Sequence, residues 1–342
     1  MASAEMGNEM SDSATPAAPL RARFFPMGFP VDVATNSTSV ILAATSIWSS
    51  YRPAFQAPPA SIHVIVKKAR PGPNSHLPSY NFVGNSLRVG RPPDNFGTCD
   101  LRTGAAFARL TSDVANDPAR AVYFFLEPLA YVALEALHLT ALHSACVARD
   151  GRALLLCGGA GAGKTSLAYA CARSGWTYLS GDATNIVRDA PDALVVGRPH
   201  HIRFREHARH LFPELARLIP QPRPNGKLDI EADPRELGLS TAVAASVAHI
   251  VFLNRAESDL EPRITSYPRE RAALQLHECS QWGGPGLRKA RRQSIERLLD
   301  LPLHELTYFD ANDAEPMLRA LLDTSDGLPR SSSCERASHA ML

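Results

Sequence analysis

The chain has 342 residues, 45% of them hydrophobic and 20% charged, with a formal net charge of +2. That length has room for about two domains. The near-balance of charge excludes a strong field for nucleic acid or an acidic membrane surface. Six scattered cysteines, none in a CxxC pair, argue against a zinc site or a disulfide framework and fit a reducing cytoplasm.

Residues 1–20 are rich in Ala, Ser, Pro and Met, carry Glu5, Glu9 and Asp12, and lack the apolar segment of a signal peptide. They read as a disordered lead. No apolar stretch approaches a membrane span, so a cytoplasmic protein with no membrane partner is expected. Residues 21–120 read as a small α+β domain. Ile62–Val66 is a strand by its β-branched content, Phe82–Val89 is another, and Pro71-Gly72-Pro73-Asn74 is a loop between them. Asn36–Ser49 leans to a helix. No catalytic cluster is visible in this region.

A second domain is expected over residues 121–324, followed by a Ser-rich disordered tail at 325–342. Ala121–Thr140 reads as a strand and then a helix. Ala141–Ala148 and Ala153–Cys157 read as strands joined by the tight turn Arg149-Asp150-Gly151. Thr177–Ser180 is a strand ending at Gly181-Asp182. Asn185–Val187 and Ala193–Val196 form a hairpin, and Ala248–Leu253 is a further strand. Leu287–Leu299 is a helix, Glu305–Phe309 a strand and Ala314–Leu322 a final helix. Hairpins around one loop predict an α/β domain with a mixed sheet, unlike alternating β-α units.

Residues 158–165 read Gly158-Gly159-Ala160-Gly161-Ala162-Gly163-Lys164-Thr165, the full G-x-x-x-x-G-K-[ST] phosphate loop. Glycines let backbone N–H groups point at a polyphosphate, and the next helix adds its positive dipole end. Lys164 supplies charge for the β/γ-phosphates, Thr165 a hydroxyl for Mg²⁺, and Ser166 continues the helix start. The apolar strand before the loop and the alanine-rich helix after it, with Gly175 at its C-terminal cap, complete the expected context. The partner is therefore a nucleoside triphosphate.

Asp182 ends the strand after the loop helix and is the candidate metal-holding or proton-accepting acid. His143 ends a strand just before the loop strand; it is either a core histidine or an orienting group. Arg203, in the basic run Gly197–Arg205, and Lys227, after a proline-rich loop, are candidate cations for phosphate.

The stretch Leu142–Asp182 resembles the kinase domain of the HPr kinase/phosphorylase family and its shorter relatives. The residues that carry the likeness are His143 in Leu-His-Ser-Ala, Gly151, the Gly158–Thr165 loop, Arg173-Ser174-Gly175-Trp176 and Leu179-Ser180-Gly181-Asp182. A weaker likeness continues through Gly197-Arg198-Pro199, Arg203, Lys227 and the strand at Val251. The resemblance implies a phosphoenolpyruvate-carboxykinase-like sheet, ATP and Mg²⁺ as ligands, and phosphoryl transfer to a hydroxyl, often a protein serine. It implies a role for His143 beside the acid, and family members are often multimeric, which leaves a homo-oligomer open. The family carries two adjacent acids where this chain has Gly181-Asp182, and Asp182 matches the second. The readings open at this point are a kinase with an unknown acceptor, a catalytically weak or inactive ATP-binding sensor, and a P-loop ATPase.

Overall fold

The structure is a computed structural model that describes residues 18–68, 77–93, 95–258, 260–278 and 282–324. The expected tail at 325–342, the loop Pro71–Asn74 and nearly all of the expected lead at 1–20 lie outside those residues. The chain divides into two compact units, one of residues 1–81 and 86–133, the other of 82–85 and 134–342.

In the first unit, strands β1 (Leu20–Phe24), β2 (Val31–Thr35), β3 (Ala60–Lys67), β4 (Tyr80–Val83), β5 (Ser86–Gly90), β6 (Phe96–Asp100) and β7 (Ala105–Thr111) line up as β1-β2-β3-β7-β6-β5-β4. β3 runs parallel to both neighbours, and its alternating side chains bury Ile62 and Val64. The helix Thr38–Trp48 buries Val40, Ala44 and Trp48. Phe82–Val89 is two strands rather than one, because Gly84 takes a positive φ (57°) and turns the chain.

The start of Ala121–Thr140, expected as a strand before a helix, is itself helical, and Val122–Leu126 forms a π-type turn ahead of the helix Glu127–Leu137. Its β-favouring residues Phe124, Phe125 and Leu126 are buried, and burial outweighs intrinsic propensity.

The second unit contains β8 (Leu139–Leu142), β9 (Ser144–Arg149), β10 (Arg152–Cys157), β11 (Thr177–Ser180), β12 (Thr184–Val187), β13 (Leu194–Val196), β14 (Ile202–Phe204), β15 (Gln221–Pro222), β16 (Leu228–Ala232), β17 (Ala244–Arg255), β18 (Arg263–Ser266) and β19 (Leu303–Tyr308). The main sheet runs β11-β9-β10-β17-β13-β12-β8, with β19 also paired to β17 and to β18. β10 is parallel to β17 and antiparallel to β9, so the sheet is mixed. Asp150 and Gly151, both at positive φ, close the β9–β10 hairpin. A small sheet, β14-β16-β15, stands apart.

β10 is apolar from Ala153 to Cys157 because both its faces are covered. Leu154 and Leu156 enter a core with the helices Lys164–Arg173 and Ala311–Asp323. Ala153, Leu155 and Cys157 enter the opposite core with the helices Arg269–His277 and Pro285–Leu298. Two helical layers thus fix the strand that delivers the glycine loop. Cys157 and Cys171 are buried free thiols. Among the described residues no helix is long and apolar enough to cross a membrane.

Candidate functional site

The loop leaves β10 at Cys157 and ends at the helix Lys164–Arg173. Gly161 and Gly163 take φ values of +87° and +88°, the left-handed region that side chains resist. A side chain at Gly163 would place its first carbon 2.3 Å from Tyr308 Oη. That hydroxyl donates to the Ala162 carbonyl at 2.9 Å, so β19 pins the loop from outside. Gly159 and Gly161 face open space, and a Cβ at either would meet nothing within 4 Å. The helix closes in a Schellman motif: Trp176 N–H donates to Cys171 O, Gly175 N–H to Ala172 O, and Gly175 sits at φ +89°.

Lys164 is 7% exposed. Its Nζ donates to the carbonyls of Gly158 (2.7 Å) and Gly159 (3.1 Å) and lies 3.1 Å from His143 Nε2. His143 sits where the chain passes from β8 to β9, two strands with different sheet neighbours. Its Nδ1 is 3.1 Å from Asp182 Oδ1. The imidazole tautomer that satisfies both contacts carries its proton on Nδ1: it accepts from lysine and donates to aspartate. Lys164, His143 and Asp182 therefore form one hydrogen-bonded line at the loop. The His143 hydrogen bond, helped by the charges of Lys164 and Arg198, holds the Asp182 carboxyl below the usual carboxylate range against partial desolvation. The Asp182 side chain is 75% exposed and open to a ligand.

Thr165 Oγ1 donates to the Gly181 carbonyl at 2.9 Å, which brings the hydroxyl beside the Gly181-Asp182 turn. Thr165 and Asp182 are thus an oxygen pair of the chemistry that suits Mg²⁺. A side chain at Gly181 would crowd its neighbours. A Cβ there would lie 2.7 Å from Tyr178 Oη and 3.2 Å from Thr165 Cγ2.

The expected cations stand in different surroundings. Arg203 Nε is 3.3 Å from Glu231 Oε2 across the β14–β16 pair, and His201 Nδ1 holds the other oxygen at 3.0 Å. These contacts lower the Glu231 carboxyl to about 2, with the His201 hydrogen bond the largest cause. Lys227 lies in the turn between β15 and β16, where Gly226 takes φ +81°. Two further groups act at the loop region: Arg255, which no local pattern marks, and Arg198, a member of the basic run. Arg255, at the end of β17, brings its Cδ within 3.7 Å of a Cβ built on Gly163. Arg198 acts electrostatically on Asp182. The one available signal for Arg255 was its place at the end of an apolar strand, and that signal needs the sheet order to be read.

The second unit thus sets a strand, a glycine loop and a helix in a mixed α/β domain. No protein-family model matches the chain, and no curated protein matches it. Among solved structures it is similar in part to the Hpr(Ser) kinase/phosphatase from Coxiella burnetii, at 12% sequence identity and a TM-score of 0.32, covering 55% of this chain and 93% of that one. A likeness of that extent does not fix a family for this chain.

Proposed function

We propose that the second unit is an ATP-dependent phosphotransferase of the HPr-kinase-like type, with a phosphoenolpyruvate-carboxykinase-like sheet, acting on a hydroxyl. The observation that carries this reading is the Lys164–His143–Asp182 line at the glycine loop. In the proposed complex the loop N–H groups from Gly159 to Ser166 hold the β/γ-phosphates. Lys164 exchanges its two loop carbonyls for phosphate oxygens, a stronger charge-assisted contact. Thr165 Oγ1 and the Asp182 carboxylate would hold Mg²⁺, which neutralises charge developing on the phosphoryl oxygens.

Asp182 stays ionised through the neutral range, so it can accept a hydrogen bond from the incoming hydroxyl and orient it. A loose phosphoryl-transfer transition state asks little more of a base. His143 keeps the carboxylate turned toward the loop. Arg255, Arg198 and Arg203 are candidates for charge compensation, with Lys227 in a neighbouring turn. Among the described residues, the four cysteines are buried free thiols, which suits a reducing compartment.

The deciding experiment is calorimetric titration of the full chain with Mg·ATP, paired with transfer of labelled γ-phosphate to protein acceptors. The wild type should bind and transfer, and Lys164→Ala should do neither. Equal ATP affinity in both chains would reject the assignment. A second reading, a nucleotide sensor without turnover, is favoured by the single carboxylate beside a glycine where a side chain would crowd Tyr178 and Thr165. Tight binding with no transfer to any acceptor would select it.

A further inference from the structure

Tyr178 is 1% exposed, yet its hydroxyl makes no hydrogen bond among the described residues. A hydroxyl at the tip of a buried ring, with no partner among the described residues, is a donor available to a ligand. Its backbone is fixed on both sides: Tyr178 N–H donates to Ser240 O at 2.8 Å, and Ala242 N–H donates to Tyr178 O at 3.1 Å. The ring packs in the core with Tyr169 and Trp176. The ring is therefore held in place.

Its surroundings say what the partner is. The point where a Gly181 Cβ would stand is 2.7 Å from Tyr178 Oη and 3.5 Å from Thr165 Oγ1. Both oxygens border one small space, at the first turn of the loop helix and next to Asp182. Burial first, then the Asp182 charge, push the phenol well above its usual value, so it is a neutral donor at every physiological pH. A neutral donor set beside the phosphate-loop threonine suits an anionic oxygen and repels no phosphate.

We infer that the Tyr178 hydroxyl is a hydrogen-bond donor to the terminal phosphoryl group of a bound nucleoside triphosphate, and that Gly181 is glycine to leave that hydroxyl its place. The inference rests on the phosphotransferase reading of the same loop. It adds a specificity group that distinguishes triphosphate from diphosphate.

The test uses the full chain, titrated with magnesium adenylyl imidodiphosphate and with Mg·ADP. Tyr178→Phe removes one oxygen and keeps the ring. It should weaken the triphosphate analogue about tenfold or more, the effect of losing a hydrogen bond to a charged group, and leave ADP nearly unchanged. Gly181→Ala should reproduce that selective loss by displacing the hydroxyl. The double variant should be no worse than Gly181→Ala alone, because both changes remove the same contact. Tyr178→Phe binding both nucleotides like the wild type, or losing both equally, would overturn the inference while leaving the loop assignment standing. If the wild type binds neither nucleotide, the proposed function falls and this inference falls with it.

Discussion

His143 Nε2 and Lys164 Nζ lie 3.1 Å apart, a contact between the crossover of two strands and the first residue of the loop helix. It joins the cation of the phosphate loop to the imidazole that holds Asp182. A lysine so engaged is positioned before any ligand arrives, and the carboxylate is oriented through the same ring.

Removing that ring should change a pH profile. The largest cause of the low Asp182 pKa is the His143 hydrogen bond. In His143→Ala the carboxyl returns toward its ordinary range and takes up its proton at higher pH. Mg·ATP binding, which uses the ionised form, should therefore fail at a higher pH in the variant than in the wild type. Calorimetric titrations across the acid range would measure both limbs; superimposable limbs would contradict the orienting role.

Gly163→Ala should disable the loop. The added methyl meets Tyr308 Oη at 2.3 Å, and an L-residue at φ +88° adds about 1–2 kcal/mol of backbone strain. We expect nucleotide binding to vanish while far-ultraviolet circular dichroism stays close to that of the wild type. Retained affinity would show that the loop reshapes freely.

The phosphate loop was legible because everything that makes it is local: an apolar strand, glycines at two left-handed positions and an alanine-rich helix. The hairpin before it was legible for the same reason, through Asp150-Gly151. The helical state of Ala121–Leu126 was hidden because aromatic and β-branched residues look like a strand until their burial is known. Arg255 and Tyr308 reach the loop through sheet order, and no pattern along the chain reports which strands are neighbours. The missing acid at Gly181 was visible as a difference; the Tyr178 hydroxyl 2.7 Å from where a side chain there would begin was not.

The Glu315 carboxylate should prove a structural anchor. It is 5% exposed and accepts from Trp176 Nε1 at 2.7 Å and from Arg319 Nη2 at 2.7 Å. Glu315→Ala strands the buried indole N–H and should cost about 2–3 kcal/mol. A lower urea midpoint with an unchanged slope would record this; an unchanged midpoint would refute it.

Stability should also fall in mild acid. His249 Nδ1 faces His304 Nε2 at 3.1 Å across β17 and β19. Burial first, then His304 and Arg152, push His249 from 6.5 down to about 4. The neutral ring is favoured in the folded chain, so stability is full above about pH 6.5 and declines as pH drops toward about 4, where the folded form also protonates. Melting temperatures over that window should fall, and His249→Leu should flatten the slope. Identical slopes would assign the acid sensitivity elsewhere.

His143, Lys164 and Asp182 all hang from one uninterrupted length of backbone, with the β9–β10 turn, the glycine loop and the helix between them. Bringing them together closes only short chain loops, which carry little entropic cost. The unit can then open and re-form as one cooperative piece, so amide protons throughout residues 143–182 should exchange with solvent at a shared rate, and a bound triphosphate would slow them together.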